Sequence, residues 1–229
     1  MATMRFDLHL HTEYSPDCDT ALSDIEPHCL NMGLTGIAVT DHDRIDGALR
    51  LRDHVKTLRI IVGEEVSTRD GDVIGLFVER HIPRGMSAEE TIHAIHAQGG
   101  LAYLPHPFDK MRARRTGGAS LSSIAGLVDI VEAFNGKVAR DRYNEMAADF
   151  AHRHSKVMGA GSDAHSLRAI GTVYTEFPMD AEYTCPADFL SCLRHARLIG
   201  KRRNPLGGWL IRGRRPFNLA WRKLRKKDF

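Results

Sequence analysis

Short apolar segments alternate with amphipathic segments along most of this chain, and the alternation limits the folds that it can adopt. Strands are predicted at 5–10, 36–41, 59–67, 72–78, 101–106, 129–135, 156–163 and 173–178. Helices are predicted at 23–32, 46–58, 87–98, 140–154 and 186–197. Repeated strand–helix–strand units are typical of a mainly parallel sheet, either a small irregular β/α barrel or a doubly wound open sheet. No Gly-rich dinucleotide or phosphate loop follows any of these strands, which favours the barrel.

The composition points to one globular domain. The chain has 229 residues, of which 42% are hydrophobic and 27% charged, and it lacks an apolar run of membrane-spanning length. The N-terminal segment lacks the apolar stretch of a signal peptide. No two of the four cysteines have CxxC spacing, so we expect free thiols in a reducing compartment, the cytoplasm.

The basic charge is concentrated at the C-terminus. Residues 201–229 contain eleven Lys and Arg and one acid, whereas the other 200 residues contain 21 bases and 28 acids. Within this segment Phe217, Trp221 and Leu224 share one helical stripe. We therefore divide the chain into a domain at 1–200 and a basic amphipathic tail at 201–229. The tail could pack on the domain, lie on an anionic membrane surface as a peripheral anchor, or bind nucleic acid.

Polar clusters follow five of the predicted strands. Their members are His9-x-His11, Asp41-His42-Asp43, Glu64-Glu65, His106 and Asp163-x-His165. Because the C-terminal ends of the strands surround the active site in a β/α barrel and border the ligand crevice in an open sheet, these side chains should converge. Histidine and carboxylate ligands without thiolate suit Mn, Fe or Zn.

The number of candidate ligands predicts more than one metal ion. Seven or eight side chains exceed what a single ion binds, so we expect a multinuclear centre with a bridging carboxylate. Ions about 4 Å apart are well suited to phosphoryl transfer, and the expected reaction is in-line attack of a metal-bridging hydroxide on phosphorus.

The motifs resemble, in chain order, those of the PHP (polymerase and histidinol phosphatase) family. They read DLHLHTEYSPDC, GIAVTDHD, GEEVST, PHPF, EAFNG and GAGSDAH, and they span residues 5–178. The resemblance implies a distorted (β/α)7 TIM-like barrel with up to three metal ions. It is strongest to the stand-alone metal-dependent phosphoesterase branch, which includes nucleotide phosphatases and small-nucleic-acid exonucleases.

The resemblance also implies the ligand set. The first metal would be held by His9, His11, Glu65 and Asp163. Glu65 would bridge to a second metal that is also held by His106. The third metal would be held by Asp17, His42 and His165. The residues expected to act in catalysis are His9, His11, Glu65, Asp163 and His165.

Three further carboxylates lie near these ligands in the sequence: two neighbours of the ligands and one residue that departs from the family pattern. Glu65 takes the family's ligand position in GEEVS, and strand alternation would point Glu64 to the other face. Asp41 is expected behind the ligands. Asp72 stands where many members have a histidine, so the second metal could use Asp72 as a further ligand, could be weakly held, or could be replaced by water.

Substrate binding should use cations near the strand ends. The candidate contacts are Arg112, Lys110, Arg114, Asn135 and Arg168, of which the first three follow His106 in HPFDKMRARR. The resulting expectation is a phosphoesterase for a nucleotide-like or other small phosphomonoester. The alternatives are a 5′–3′ exonuclease on short oligonucleotides and a metal-stabilised binding module without turnover.

Overall fold

The computed structural model describes residues 3–110, 118–179 and 183–201, so the predicted tail lies outside the described residues except for Lys201. The strands are β1 (Thr3–Leu10), β2 (Gly36–Val39), β3 (Arg59–Ser67), β4 (Asp72–Leu76), β5 (Leu101–Leu104), β6 (Ile130–Asn135), β7 (Val157–Gly161), β8 (Val173–Pro178) and β9 (Arg197–Gly200). The helices are α1 (Leu22–Asn31), α2 (Asp46–His54), α3 (Ala88–His96), α4 (Gly118–Ile124), α5 (Asp141–Arg153) and α6 (Pro186–Leu193), with a short 3₁₀ helix at Leu167–Ala169.

The strands form one sheet in the order β7-β6-β5-β4-β3-β2-β1-β8-β9. The pairs β1–β2, β2–β3, β5–β6 and β6–β7 are parallel, whereas β4 runs antiparallel to both β3 and β5. The chain reverses between β3 and β4 at Gly71, whose φ of 131° a residue with a side chain rarely adopts. β8 likewise runs antiparallel to its neighbours β1 and β9, so β4 and β8 both depart from a regular β/α barrel.

The sheet curls until its first and seventh strands meet. Beyond the end of β7, the backbone N–H of Asp163 donates to the carbonyl of His9 at 2.7 Å. The N–H of His11 donates to the carbonyl of Ala164 at 3.0 Å. These bonds nearly close the barrel, and they place the ends of β1 and β7 side by side. The prediction of a distorted barrel is confirmed.

Two apolar layers hold the barrel together. One cluster fills its interior and draws on most of the strands; Phe6, Ile74, Tyr103 and Phe177 are among its largest fully buried side chains. The other cluster lies between the sheet and the helices, and Val39 and Ile92 belong to it. α3 begins with a capping box, in which the Ser87 side chain accepts from the Glu90 backbone and the Glu90 side chain accepts from the Ser87 backbone.

Among the described residues, every helix is too short or too polar to cross a lipid bilayer.

Candidate metal centre

An irregularity in β1 turns its two histidines into the barrel. Leu8 packs in the interior cluster, but Leu10, two residues later, packs in the outer one. The strand register shifts between Asp7 and Leu10, as at a β-bulge. Because a bulge re-aims the side chains that follow it, both His9 and His11 point inward, where they are fully buried.

The Nε2 atoms of His9 and His11 face one shared point. His9 Nδ1 lies 3.0 Å from Glu132 Oε1 and donates to it, and His11 Nδ1 lies 3.0 Å from Ser15 Oγ. With Nδ1 protonated, each neutral imidazole carries its lone pair on Nε2, and these two nitrogens are 3.3 Å apart. Ligands about 2.1 Å from one ion in a tetrahedral arrangement would be about 3.4 Å apart. The pair therefore has the spacing of two ligands of a single ion.

Glu65 lies at the middle of the histidine group. Its Oε2 is 3.4 Å from His9 Nε2 and 3.3 Å from His11 Nε2. The same oxygen is 3.2 Å from His42 Nδ1, while Oε1 is 3.1 Å from His106 Nε2. One buried carboxylate thus contacts four imidazoles, which is the arrangement that a bridging ligand requires.

A second group of imidazoles extends from His11 toward the surface. The ring centroid of His11 is 4.4 Å from that of His42 and 4.2 Å from that of His165. Asp17 joins them, with 2.9 Å between its Oδ2 and His165 Nε2 and 3.8 Å between its Oδ1 and His42 Nε2. All the ligands predicted from the family motifs are therefore close together.

Three overlapping groups of candidate ligand atoms result, each within 4.8 Å of one another: His9/Glu65/His106, His9/His11/Asp163 and His11/His42/His165. These donors, with Asp17 beside the third group, fit two or three divalent ions. Asp72 belongs to none of these groups among the described residues. Its backbone pairs with Ser67, two residues beyond Glu65, so it stands on the same sheet face nearer the barrel mouth.

The electrostatic field of the site favours cations. Burial alone would lower the pKa of His9, but the surrounding carboxylates, Glu132 foremost, hold that pKa well above its ordinary value. Burial would raise the pKa of Glu65, but His42 and His9 hold it well below its ordinary value. The field that favours a proton on His9 equally favours a divalent ion at its Nε2.

The outer imidazoles have the opposite tendency. Burial, together with the neighbouring His165, holds the pKa of His11 well below its ordinary value. Burial and then the Lys137 ammonium lower the pKa of His165. Burial opposes the ionisation of Asp17, but the hydrogen bond from His165 holds the pKa of this carboxyl well below its ordinary value. Neutral imidazoles beside an ionised carboxylate are the protonation states that metal ligands need.

A ring of buried polar residues orients these donors. The Ser15 hydroxyl donates to Asp41 Oδ1 at 3.0 Å and accepts from His11 Nδ1 and from the backbone N–H of His42. The other Asp41 oxygen accepts from the Thr12 hydroxyl at 2.7 Å. Asp41 thus lies behind the donors, where the sequence placed it. Such partners fix ring orientation and tautomer in metal sites.

The sequence interpretation missed Glu132 and Lys137. Glu132 accepts from His9, from the backbone N–H of His106 at 2.8 Å and from Asn135 Nδ2 at 2.9 Å. Its signal was an acid inside the apolar strand DIVEAFN, whose buried position demands a partner. Lys137 follows the same strand and reaches Asp163 and His165. The signal that could have identified Lys137 is its position as a cation directly after the motif EAFNG, which ends at the site.

Two of the donors have unusual backbone conformations. His106 has a φ of 29° and Asp163 a φ of 50°, both on the positive side that residues with side chains seldom occupy. Each follows the end of a strand, β5 and β7 respectively. Strain of this kind concentrates at functional sites, where the surrounding structure enforces it.

The predicted substrate contacts have different surroundings. The Asn135 side chain is buried; its Nδ2 donates to Glu132 and to Asp163 Oδ2, and its Oδ1 accepts from two backbone N–H groups. It therefore supports the carboxylates from behind. Lys110 and Arg168 are exposed. Arg112 and Arg114 lie outside the described residues.

Glu64 points away from the donor group, as strand alternation predicts. Its Oε1 is 2.6 Å from His81 Nδ1, and its Oε2 accepts from the backbone N–H of Ile82 at 2.9 Å. Glu64 therefore contributes nothing to the three groups, and Glu65 alone of the pair faces the histidines.

The chain shares its fold with solved structures. It resembles a two-domain protein from Bacteroides vulgatus containing a predicted PHP-like metal-dependent phosphoesterase, with a TM-score of 0.70, 15% identity and coverage of 87% of this chain and 65% of that one. It also resembles PsfC from Pseudomonas syringae, with a TM-score of 0.69, 15% identity and coverage of 98% and 99%. These likenesses concern the fold.

Sequence comparison gives the family. An uncharacterized protein of Methanocaldococcus jannaschii is 30% identical over 201 residues, which cover 83% of this chain and 79% of the relative. The PHP domain pattern matches residues 7–160, and a PHP-associated pattern matches residues 141–198. The chain belongs to the PHP domain family.

Proposed function

We propose that this chain is a metal-dependent phosphoesterase that hydrolyses a nucleotide-like or other small phosphomonoester. The observation that carries the proposal is the position of Glu65, a buried carboxylate in contact with four imidazoles from the ends of three strands, β1, β2 and β5. An arrangement of this kind needs cations to balance its carboxylates and lone pairs, and it suits a centre with more than one ion.

We assign the metal ligands as His9, His11, Asp17, His42, Glu65, His106, Asp163 and His165. Glu65 would be the residue shared between two ions, since its two oxygens face different imidazoles. Divalent ions at these positions would act as Lewis acids toward a phosphoryl oxygen and would lower the pKa of a water molecule. The choice among Mn, Zn and Fe is left to experiment.

The protein contributes orientation and a restricted opening. Glu132 and Ser15 hold the Nδ1 sides of His9 and His11, so their Nε2 lone pairs stay directed at the site. His9, His11 and Asp163 are fully buried, whereas the Asp17 side chain is 41% exposed. A substrate would therefore enter the site past Asp17.

The test is phosphate release from nucleoside monophosphates and sugar phosphates by protein loaded with Mn or Zn. His9→Ala and Asp163→Asn should reduce the rate at least about 100-fold while the protein stays folded, because the first removes a ligand and the second replaces a charged ligand with a neutral amide. His93→Ala, an exposed histidine of α3, is the matched control and should keep the wild-type rate.

Two outcomes would replace this proposal. Release of mononucleotides from short oligonucleotides, with binding that weakens steeply as salt increases, would indicate the exonuclease. Tight metal binding without turnover on any of these substrates would indicate a binding module. Full activity in both ligand variants would show that the metal site takes no part in the reaction.

A further inference from the structure

Lys137 stands in a rigidly held loop after β6. Asn135 Oδ1 accepts from the backbone N–H of Lys137 at 2.8 Å and from that of Val138 at 3.1 Å. Between them, the Gly136 N–H donates to the carbonyl of Gly161 at 2.9 Å. The loop is thus fixed to its own strand and to the end of β7, and the lysine starts from a defined place at the site.

The ammonium group lies where two of the candidate ligand groups meet. Lys137 Nζ is 3.3 Å from Asp163 Oδ1, and it is 2.9 Å and 3.0 Å from the two ring nitrogens of His165. Asp163 belongs to the group with His9 and His11, whereas His165 belongs to the group with His11 and His42. A phosphoryl group held by both groups would have oxygens within reach of this ammonium.

The exposure of the side chain agrees with a position above the donors. Asp163 is fully buried and the side chain of His165 is 11% exposed, whereas that of Lys137 is 28% exposed. The lysine therefore extends from the opening toward the site and is not part of its floor. A ligand that enters from solvent meets the ammonium before it meets Asp163.

A positive charge at this place works against metal binding. The Lys137 ammonium disfavours cations at His165, which the resemblance makes a metal ligand, and like charges a few ångströms apart repel. If this site served only to hold metal ions, a neutral or acidic residue would serve better here. A lysine at this position is explained if the ligand of the metal-loaded site is an anion that bears several charged oxygens.

We propose that Lys137 binds the phosphoryl group of the substrate, donating from its ammonium to an oxygen of that group. The proposal rests on the proposed phosphoesterase function, and it names the cation that recognises the phosphate. It assigns this contact to a residue other than the five candidates taken from the sequence.

Inorganic phosphate, titrated calorimetrically into the full-length protein loaded with Mn, tests the proposal without turnover. Lys137→Met should weaken phosphate binding by about 10- to 100-fold, the effect of losing one charge-assisted hydrogen bond. Lys137→Arg should stay within a few-fold of wild type, since it keeps a cationic donor. Metal content per chain should be equal in all three proteins.

Lys156→Met is the matched control. It removes the same charge next to the opposite end of β7, where Lys156 Nζ donates to the carbonyl of Gly126. It should bind phosphate as the wild type does. Lys137→Gln, which retains polarity, replaces Lys137→Met if the latter does not fold.

Three results would overturn the proposal. Wild-type phosphate affinity in Lys137→Met at full metal content would show that the ammonium does not touch the anion. A lower metal content with unchanged phosphate affinity of the loaded fraction would make Lys137 a structural partner of Asp163. Absence of phosphate binding in the loaded wild type would overturn the phosphoesterase function itself, and this contact with it.

Discussion

His9 and Glu132 are joined inside the barrel by a hydrogen bond of 3.0 Å between His9 Nδ1 and Glu132 Oε1. Both side chains are completely buried, and Glu132 also accepts from Asn135 and from the backbone of His106. One carboxylate from β6 thereby sets the direction of a histidine from β1 and the backbone position of a histidine after β5. The candidate metal donors are held in place from behind.

Glu132→Gln should weaken metal binding by about 10- to 100-fold. In the wild type, N–H donors contact the Glu132 carboxylate, and in the variant they would face an amide group instead. His9 would also lose the negative charge that raises its pKa. The measurement is competition for Zn against a chromophoric chelator. Glu145→Gln, an exposed change on α5, is the control and should leave the affinity unchanged. Equal Zn affinity in Glu132→Gln and wild type would contradict this role.

Gly161→Ala should disrupt the closure of the barrel. A Cβ at this position would lie 2.4 Å from the Cβ of His9 and 2.7 Å from its backbone nitrogen, so β1 and β7 would have to separate. We expect the free energy of unfolding to fall by about 2 kcal/mol or more, as overpacking does. Urea titration in the presence of a chelator measures this effect apart from metal binding.

The control for this substitution is Gly126→Ala, where a Cβ would meet nothing within 4 Å. It should change the free energy of unfolding by less than about 1 kcal/mol. Similar losses in the two variants would mean that the contact between β1 and β7 does not limit stability.

The fold was largely predictable because its strands have strong local signals. β3 and β8 have the predicted bounds, Arg59–Ser67 and Val173–Pro178, since apolar β-formers fill them and turn residues flank them. α4 was missed because its seven residues are too few to show the repeating apolar pattern of an amphipathic helix. β9 (Arg197–Gly200) was not predicted, and the helix predicted at 186–197 covers only its first residue. It is an edge strand, stabilised by antiparallel pairing with β8 that the local sequence does not reveal.

Site residues could be predicted where they stand at the ends of strands. They could not be predicted where only tertiary contacts give them their role. His9, His106 and Asp163 could be found because each stands at a polar strand end. Glu132 lies within β6, and two of its partners, His9 and His106, are 26 or more residues away in the chain. Asn135 could be placed near the site, but the inward direction of its amide depends on Glu132 and Asp163.

Asp7 should make stability decrease as pH rises from about 4 to 6. Burial raises the pKa of Asp7 to about 6 from 3.8, although hydrogen bonds from Ser162, Gly171 and His9 oppose the shift. The folded state therefore holds this proton more tightly than the unfolded chain does. Ionisation of Asp7 above pH 6 therefore lowers the free energy of unfolding by about 3 kcal/mol relative to its value below pH 4.

Asp7→Asn removes this titration. The free energy of unfolding of wild type minus that of the variant should fall by about 3 kcal/mol between pH 3 and 7 and stay constant above that range. Urea titrations at several pH values with chelator present measure this difference. A difference that is independent of pH would show that Asp7 ionises in the folded state as it does in the unfolded one.

Metal content per chain is the direct test of the proposed metal centre. Elemental mass spectrometry of the protein, after gentle purification and again after loading with Mn and with Zn, should find two or three ions per wild-type chain. Asp163→Asn should hold fewer, because Asp163 Oδ1 lies 3.7 Å from His11 Nε2 and 3.4 Å from His165 Nδ1 and so serves two groups of donors. One ion or none in the loaded wild type, or equal content in the two proteins, would contradict the account.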